Sequence, residues 1–307
     1  MLQPIYICGS TASGKSSFAI ALAKKINGEI VNGDAYQLYQ GIETLSAAPS
    51  AEEHAQVPHH LFSCLDSSEP VDAQRYRDLT LPRIASIQQQ GKRPIVVGGS
   101  GMYLKFLTHG PSPVPSGNEA LRAQLETKSD SELAQQLEDL DPDGAAMTNL
   151  KNRRYLIRAL EICILSGSKM SVLKSDWANT SASIEKKLLG FVLQWEPEAL
   201  RKRIAHRTQL MLEGNAIQEV KNLTAPSITC EKAIGIKQIR QYLAGEISLH
   251  RCNELIYFAT SQYAKRQRTW FKKEHWLHKI AMQPSTQTQQ IVDQSLFYLE
   301  QKSAPNT

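Results

Sequence analysis

The octapeptide Gly9-Ser10-Thr11-Ala12-Ser13-Gly14-Lys15-Ser16 satisfies the pattern G-x-x-x-x-G-K-[ST] without a mismatch. Its flanks carry the periods such a loop requires. Ile5-Tyr6-Ile7-Cys8 reads as a short buried strand, and Ser17 to Ile26 as a helix with Phe18, Ala19, Leu22, Ala23 and Ile26 on one side. A glycine-rich turn between strand and helix aims backbone N–H groups and the positive end of the helix dipole at one point. Lys15 can then reach a terminal phosphate, and the Ser16 hydroxyl can hold Mg²⁺. A chance match in a glycine-rich loop would lack the flanking strand and helix. The loop is therefore read as a polyphosphate cradle.

At 307 residues the chain could form one large domain or two. A hydrophobic content of 41% with 21% charged residues suits a globular protein with a full core. The first strand begins almost at the N-terminus, so no signal or transit peptide is expected. No apolar run approaches the ~20 residues of a membrane span. Cys8, Cys64, Cys163, Cys230 and Cys252 stand singly, which points away from a zinc site or disulfide framework and toward a reducing cytoplasm. The net charge of +5 is uneven: residues 183–307 carry eighteen Lys/Arg against eleven Asp/Glu. Such asymmetry suggests a polyanionic partner, with a solvated basic face as the alternative.

Gly28 to Asp34 reads as a second strand ending in a carboxylate. Strand C-termini of a parallel sheet face the ligand crevice, so Asp34 is expected on the rim of the phosphate cradle; capping the next helix is the structural alternative. Ala35 to Pro49 reads as a helical turn and a loop. Pro58-His59-His60 is loop-like, and its His pair has no carboxylate or Cys at ligand spacing, so polar loop packing is expected there. Ala73 to Gln90 fits a helix. The strand Arg93 to Val97 then runs into Gly98-Gly99-Ser100-Gly101 rather than the Asp that commonly holds Mg²⁺ in ATP-hydrolysing P-loop enzymes. Group transfer is thus preferred over a motor or a switch.

Pro111 to Gly117 is a stiff proline-dense linker, and Ser116 with Glu119 suggests a capping box. A helical insert follows, residues 113–183, anchored by Leu121, Leu125, Leu133, Leu137 and Leu140. Its stretch Ser175 to Ser183 reads as polar and loose. Leu188 to Leu193 returns to strand character and rejoins the first sheet. Helices are expected at Pro197–Leu212, Ala216–Leu223, Lys232–Leu243 and Ser248–Lys273. Between Lys265 and Lys279 there are six Lys/Arg and three aromatic residues against the single acid Glu274. Cations neutralise phosphates while flat rings stack on bases. An amphipathic terminal helix would look the same.

These motifs, in this order, resemble the tRNA dimethylallyltransferases (tRNA isopentenyltransferases). The likeness runs from Gly9 to about Lys273. Residues 9–16 look like G-P-T-A-S-G-K-[ST], and Asp34-Ala35-Tyr36-Gln37-Leu38-Tyr39-Gln40-Gly41 like D-S-x-Q-V-Y-R-G. Pro58-His59-His60-Leu61 matches P-H-H-L, and Val97 to Leu104 is similar to V-G-G-T-G-L-Y. Arg154 with Arg158-Ala159-Leu160-Glu161 resembles part of R-R-V-I-R-A-L-E. Arg203, Arg207, Met211, Gly214 and Glu219 keep the family's spacing. Ala233 to Lys237 resembles A-I-G-Y-K, and Lys265-Arg266-Gln267-Arg268-Thr269-Trp270-Phe271 matches K-R-Q-x-T-W-x.

The resemblance implies a P-loop NTPase-like α/β fold: a parallel sheet flanked by helices, formed by residues 1–112 and 184–307, with an all-helical insert closing over the anticodon loop. It implies transfer of a dimethylallyl group from dimethylallyl diphosphate to an adenine beside a tRNA anticodon, by a monomer. Asp34, Lys15, Ser100 and Arg122 would be the catalytic set. Asp34, Ala35, Tyr36, Gln37, Arg154, Arg158, Lys237, Lys265, Arg266, Arg268 and Trp270 would meet the tRNA. The chain departs from the pattern at Ala35 for Ser, Gln40 for Arg, Ala48 for Lys and Tyr155 for Arg. These departures bear on substrate range and activity more than on fold. An adenylate isopentenyltransferase, a small-molecule P-loop kinase and a non-catalytic RNA-binding paralogue are the alternatives.

Overall fold

The computed structural model describes residues 2–111 and 113–303. Contacts divide the chain into two compact units, Met1–Thr108 with Leu188–Thr307, and His109–Lys187. The first unit begins with β1 (Ile5–Gly9), α1 (Lys15–Ile26) and β2 (Gly28–Asn32). Short helices α2 (Glu43–Ser46) and α3 (Ala51–His54) lead to β3 (His59–His60). Then come α4 (Ala73–Gln89), β4 (Arg93–Gly98) and α5 (Gly101–His109).

The segment between the two halves of the first unit is all helical. It holds α6 (Glu119–Glu126), α7 (Asp130–Leu140), α8 (Pro142–Met147), α9 (Arg153–Ser166) and α10 (Met170–Glu185). Leu125, Leu133, Leu137, Leu156 and Leu160 close its own core. Three expectations are corrected here. Asn118, not Ser116, caps α6, because its side chain accepts the Leu121 N–H at 2.9 Å. Leu140 faces solvent rather than the core. The stretch 175–183 is helical, within α10: Ser181 is buried on one side, so polarity there marks a solvated helix face, not a loop. Ser112 in the expected linker lies outside the described residues.

The chain returns through β5 (Leu189–Trp195), α11 (Pro197–Glu213) and α12 (Ala216–Asn222). The helix expected from Lys232 is instead α13 (Ile236–Leu243), since Gly235 interrupts it at φ 112. The long α14 (Leu249–Phe271) follows, then β6 (His278–Met282) and α15 (Thr288–Ser303), neither of which the sequence reading included.

The six strands form one parallel sheet in the order β3-β2-β4-β1-β5-β6. Alternation along the strands feeds two cores. Tyr6, Cys8, Val31, Val96 and Val192 pack on one face, and Ile5, Ile7, Ile30, Ile95 and Phe191 on the other. Burial on both faces is why the strands read as continuous apolar runs. The Pro58–His60 stretch, expected as loop, contributes β3: Ile30 and Val31 pair with His59 and His60. His60 Nε2 lies 2.6 Å from the buried Glu29 carboxylate, so the polar ring satisfies an acid. Among the described residues no helix is long and apolar enough to cross a membrane.

Candidate active site

The loop between β1 and α1 is held from outside. Arg203 Nε donates to the Ala12 carbonyl at 2.8 Å, and Trp195 Nε1 to the Ser13 carbonyl at 2.9 Å. Lys15 Nζ donates to the Ser10 carbonyl at 2.7 Å. With three carbonyls engaged by donors, their negative ends are screened from an incoming anion. Gly14 stands at φ 92 and Ala12 at φ 61, so the turn is tight enough to need left-handed backbone even at an alanine. Ser13 Oγ is buried with no hydrogen-bond partner. An orphaned buried hydroxyl on the loop is a donor that an oxyanion would satisfy.

Asp34 follows β2 by two residues. The Asn32 side chain braces it, accepting the Asp34 N–H at 2.7 Å and donating to the Asp34 and Leu61 carbonyls at 3.0 and 2.9 Å. Asp34 Oδ1 accepts the Tyr36 N–H at 3.1 Å. The carboxylate thus caps a short turn and stands on the phosphate rim at once; the two readings coexist. Burial raises its pKa, against the Tyr36 N–H and the charges of Lys15 and Arg207. Burial also pushes the Lys15 ammonium down from 10.5 to about 8, with Asp34 resisting. A proton acceptor that is less easily ionised is a stronger base.

Both groups line one cavity of about 470 Å³, all within the first unit. Its wall takes residues 11–17 of the loop, Asp34, Tyr36 and Gln37, and Arg203, His206 and Arg207 from α11. Leu45, Leu210, Met211, Ala233 and Ile234 supply an apolar side. The cavity therefore offers cations, backbone amides and hydrocarbon together. The Ser16 hydroxyl, which lines this cavity, is the kind of oxygen donor a hard divalent cation takes alongside phosphate oxygens. The residues present fit Mg²⁺.

Ser100 is not among the lining residues. Its hydroxyl accepts the Ala35 N–H at 2.9 Å, and the Tyr263 hydroxyl lies beside it. The glycines of Gly98-Gly99-Ser100-Gly101 are explained by crowding: a Cβ on Gly98 would collide with the Gly33 backbone, and one on Gly101 with the Trp270 indole.

Along the end of α14, Ala264, Gln267 and Phe271 are buried while Lys265, Arg266, Arg268 and Trp270 are exposed. Lys265, Arg266, Thr269, Trp270, Lys273 and Glu274 border an open hollow of about 500 Å³. Lys237 is exposed on α13. In the second unit Arg122 Nη2 reaches both Glu161 carboxylate oxygens, at 3.2 and 3.0 Å, and Arg158 Nη1 reaches one at 3.2 Å. Arg154 is exposed on the same helix as Arg158.

The family pattern of IPP transferase matches residues 37–274. A tRNA dimethylallyltransferase of Akkermansia muciniphila is 41% identical over 281 residues, covering 92% of this chain and 94% of its own length. The chain belongs to the IPP transferase family. A tRNA dimethylallyltransferase 1 of Citrifermentans bemidjiense is 39% identical, covering 90% and 92% of the two chains. Among solved structures, the tRNA isopentenylpyrophosphate transferase of Bacillus halodurans superposes with a TM-score of 0.70 at 30% identity, covering 99% and 98%. A eukaryotic dimethylallyltransferase acting on tRNA gives 0.75 at 26% identity, covering all of this chain and 81% of its own.

Of the positions read above as departures from the family pattern, Ala48 lines the cavity, as do Arg203 and Arg207. Those arginines, with Gln267 and Tyr263, are site residues that reading the sequence for roles passed over. The signal for the arginines was present: i, i+4 spacing on an expected helix sets both on one face. Gln267 carries a fainter one, as the uncharged member of a Lys-Arg-Gln-Arg run.

Proposed function

We propose that this IPP transferase moves a dimethylallyl group from dimethylallyl diphosphate to the exocyclic N6 amine of the adenine immediately 3′ of a tRNA anticodon, releasing diphosphate. The observation that carries the reading is that one cavity brings together the phosphate-loop residues, Lys15, Arg203 and Arg207, apolar side chains and the half-buried Asp34 carboxylate. The amine's lone pair is delocalised into the purine, so it attacks carbon poorly until its proton can leave. Asp34 accepts that proton as the N–C bond forms and the allylic C–O bond breaks. Lys15, Arg207, the Ser13 hydroxyl and the loop amides hold the charge that gathers on the departing diphosphate. Ser16 would hold Mg²⁺, which when bound neutralises phosphate charge. Ser100 fixes the Ala35 amide and so the turn that carries Asp34, Tyr36 and Gln37.

The target base must leave its stack to reach Asp34. The exposed cations Lys265, Arg266 and Arg268, with Trp270 and Lys237, would meet the RNA backbone and bases. The helical insert would add Arg154 and Arg158 and close over the anticodon loop, with the chain working as a cytoplasmic monomer. The test is transfer of label from radiolabelled dimethylallyl diphosphate to tRNA, AMP or neither. Label in tRNA is expected. Label in AMP alone, or ATP turnover without prenyl transfer, would replace this reading with a free-nucleotide enzyme or a kinase.

A further inference from the structure

Gln267 points inward from the basic end of α14, and only 4% of it is exposed. Its Oε1 accepts the Thr11 N–H of the phosphate loop at 2.8 Å, and its Nε2 donates to the Gly99 carbonyl at 3.0 Å. One amide therefore ties two segments that converge on the cavity, the loop after β1 and the glycine turn after β4. Four residues earlier, Tyr263 stands beside both Gln267 and Ser100, and Ser100 holds the Ala35 amide next to Asp34. The neighbours of Gln267 on the same helix, Lys265, Arg266, Arg268 and Trp270, face solvent. A single helix thus presents cations outward and holds the phosphate loop inward.

We infer that Gln267 is a positioning residue that couples RNA on the outer face of α14 to diphosphate in the cavity. The inference rests on the proposed function above, and adds to it a linkage between the two substrates. The two states the linkage needs are the end of α14 seated, with both Gln267 hydrogen bonds made, and lifted, with both broken. RNA clamps the seated form, and the seated form fixes the loop at Thr11 and the glycine turn whose Gly98 lines the cavity. Each ligand must then tighten the other by the same factor.

The measurement is the dissociation constant of inorganic pyrophosphate with Mg²⁺, by calorimetry, without and with a saturating anticodon stem-loop RNA. Wild type should bind pyrophosphate about tenfold more tightly with RNA present. Gln267→Asn is too short to span both partners and should bring that factor below about twofold while RNA affinity alone stays within about twofold. Gly99→Ala tests the bridge without altering Gln267, because its Cβ would collide with the amide nitrogen; it should lose the coupling too. Gln267→Glu keeps the acceptor for Thr11 but sets a carboxylate against the Gly99 carbonyl, so it should weaken pyrophosphate binding even without RNA. Loss of fold would be seen as an altered circular dichroism spectrum, and the isosteric Glu variant then carries the test. RNA binding with no tightening in wild type, or full coupling retained in the variants, overturns the linkage alone. No RNA binding at all overturns the proposed function with it.

Discussion

The Lys15 ammonium rests on the Ser10 carbonyl at 2.7 Å, inside the same cavity that holds the Asp34 carboxylate. The cation is parked on its own loop and partly desolvated, and an arriving diphosphate offers it a stronger, charged acceptor. In the proposed reaction, exchanging this neutral partner for an anionic one would favour diphosphate binding.

Lys15→Ala should weaken pyrophosphate binding and transfer together. In wild type, kcat/KM should rise with pH as Asp34, its pKa raised by burial, becomes ionised, and fall as Lys15 loses its proton near about 8. Lys15→Arg removes the titration at that end, so whatever rate remains should stay flat on the alkaline side. A profile in which wild type shows no alkaline limb would separate Lys15 from the chemistry.

Asp34→Ala should lower kcat about 10²–10⁴-fold, the range for losing a positioned base. Pyrophosphate affinity should change little, since the loop amides, Lys15 and Arg207 remain. Isothermal titration beside a transfer assay reads both quantities. Equal kcat in the variant and wild type would remove Asp34 as the proton acceptor.

Neutralising Lys265, Arg266 and Arg268 together should weaken RNA binding and reduce the slope of log K against log salt by about 2, as fewer counterions are released. A fluorescence anisotropy titration across salt concentrations measures this. An unchanged slope would mean that α14 does not touch the RNA backbone.

Glu161 is fully buried and accepts from Arg122, Arg158 and the Asn118 N–H. Burial works upward on its pKa, but these partners outweigh it and hold the carboxylate below its ordinary 4.5. A depressed carboxylate contributes stability above the unfolded value and loses it as pH falls through the folded one. Glu161→Gln should therefore flatten the acid side of the stability curve, and Glu161→Ala should cost about 1–3 kcal/mol near neutrality. Urea midpoints at several pH values report both.

Periodicity and loop chemistry already specify much of this protein. The Gly9–Ser16 cradle, the buried strands around β1 and the amphipathic helices on either side are local patterns. Burial on both sheet faces writes itself as continuous apolar runs, and so the α/β class and the helical insert are legible. Asp34 is legible too, because a strand end in a parallel sheet has only one rim to occupy. The strand β3 is not: its two histidines earn their place only by meeting β2 and Glu29. Likewise β6 needs β5 beside it, and its polar outer residues hide the strand.

Pairings across long stretches of chain belong to the tertiary structure alone. Arg203 closing on Ala12, Ser100 holding Ala35 and Gln267 holding Thr11 depend on where separate elements meet, and composition carries no trace of that. The crowding that makes Gly98 obligatory comes from Gly33, 65 positions away in the chain. Local sequence determines which backbone an element adopts, through torsional preference and the burial of one face. Which side chain completes the cradle is decided only when the sheet brings its strand ends together and α14 packs across them.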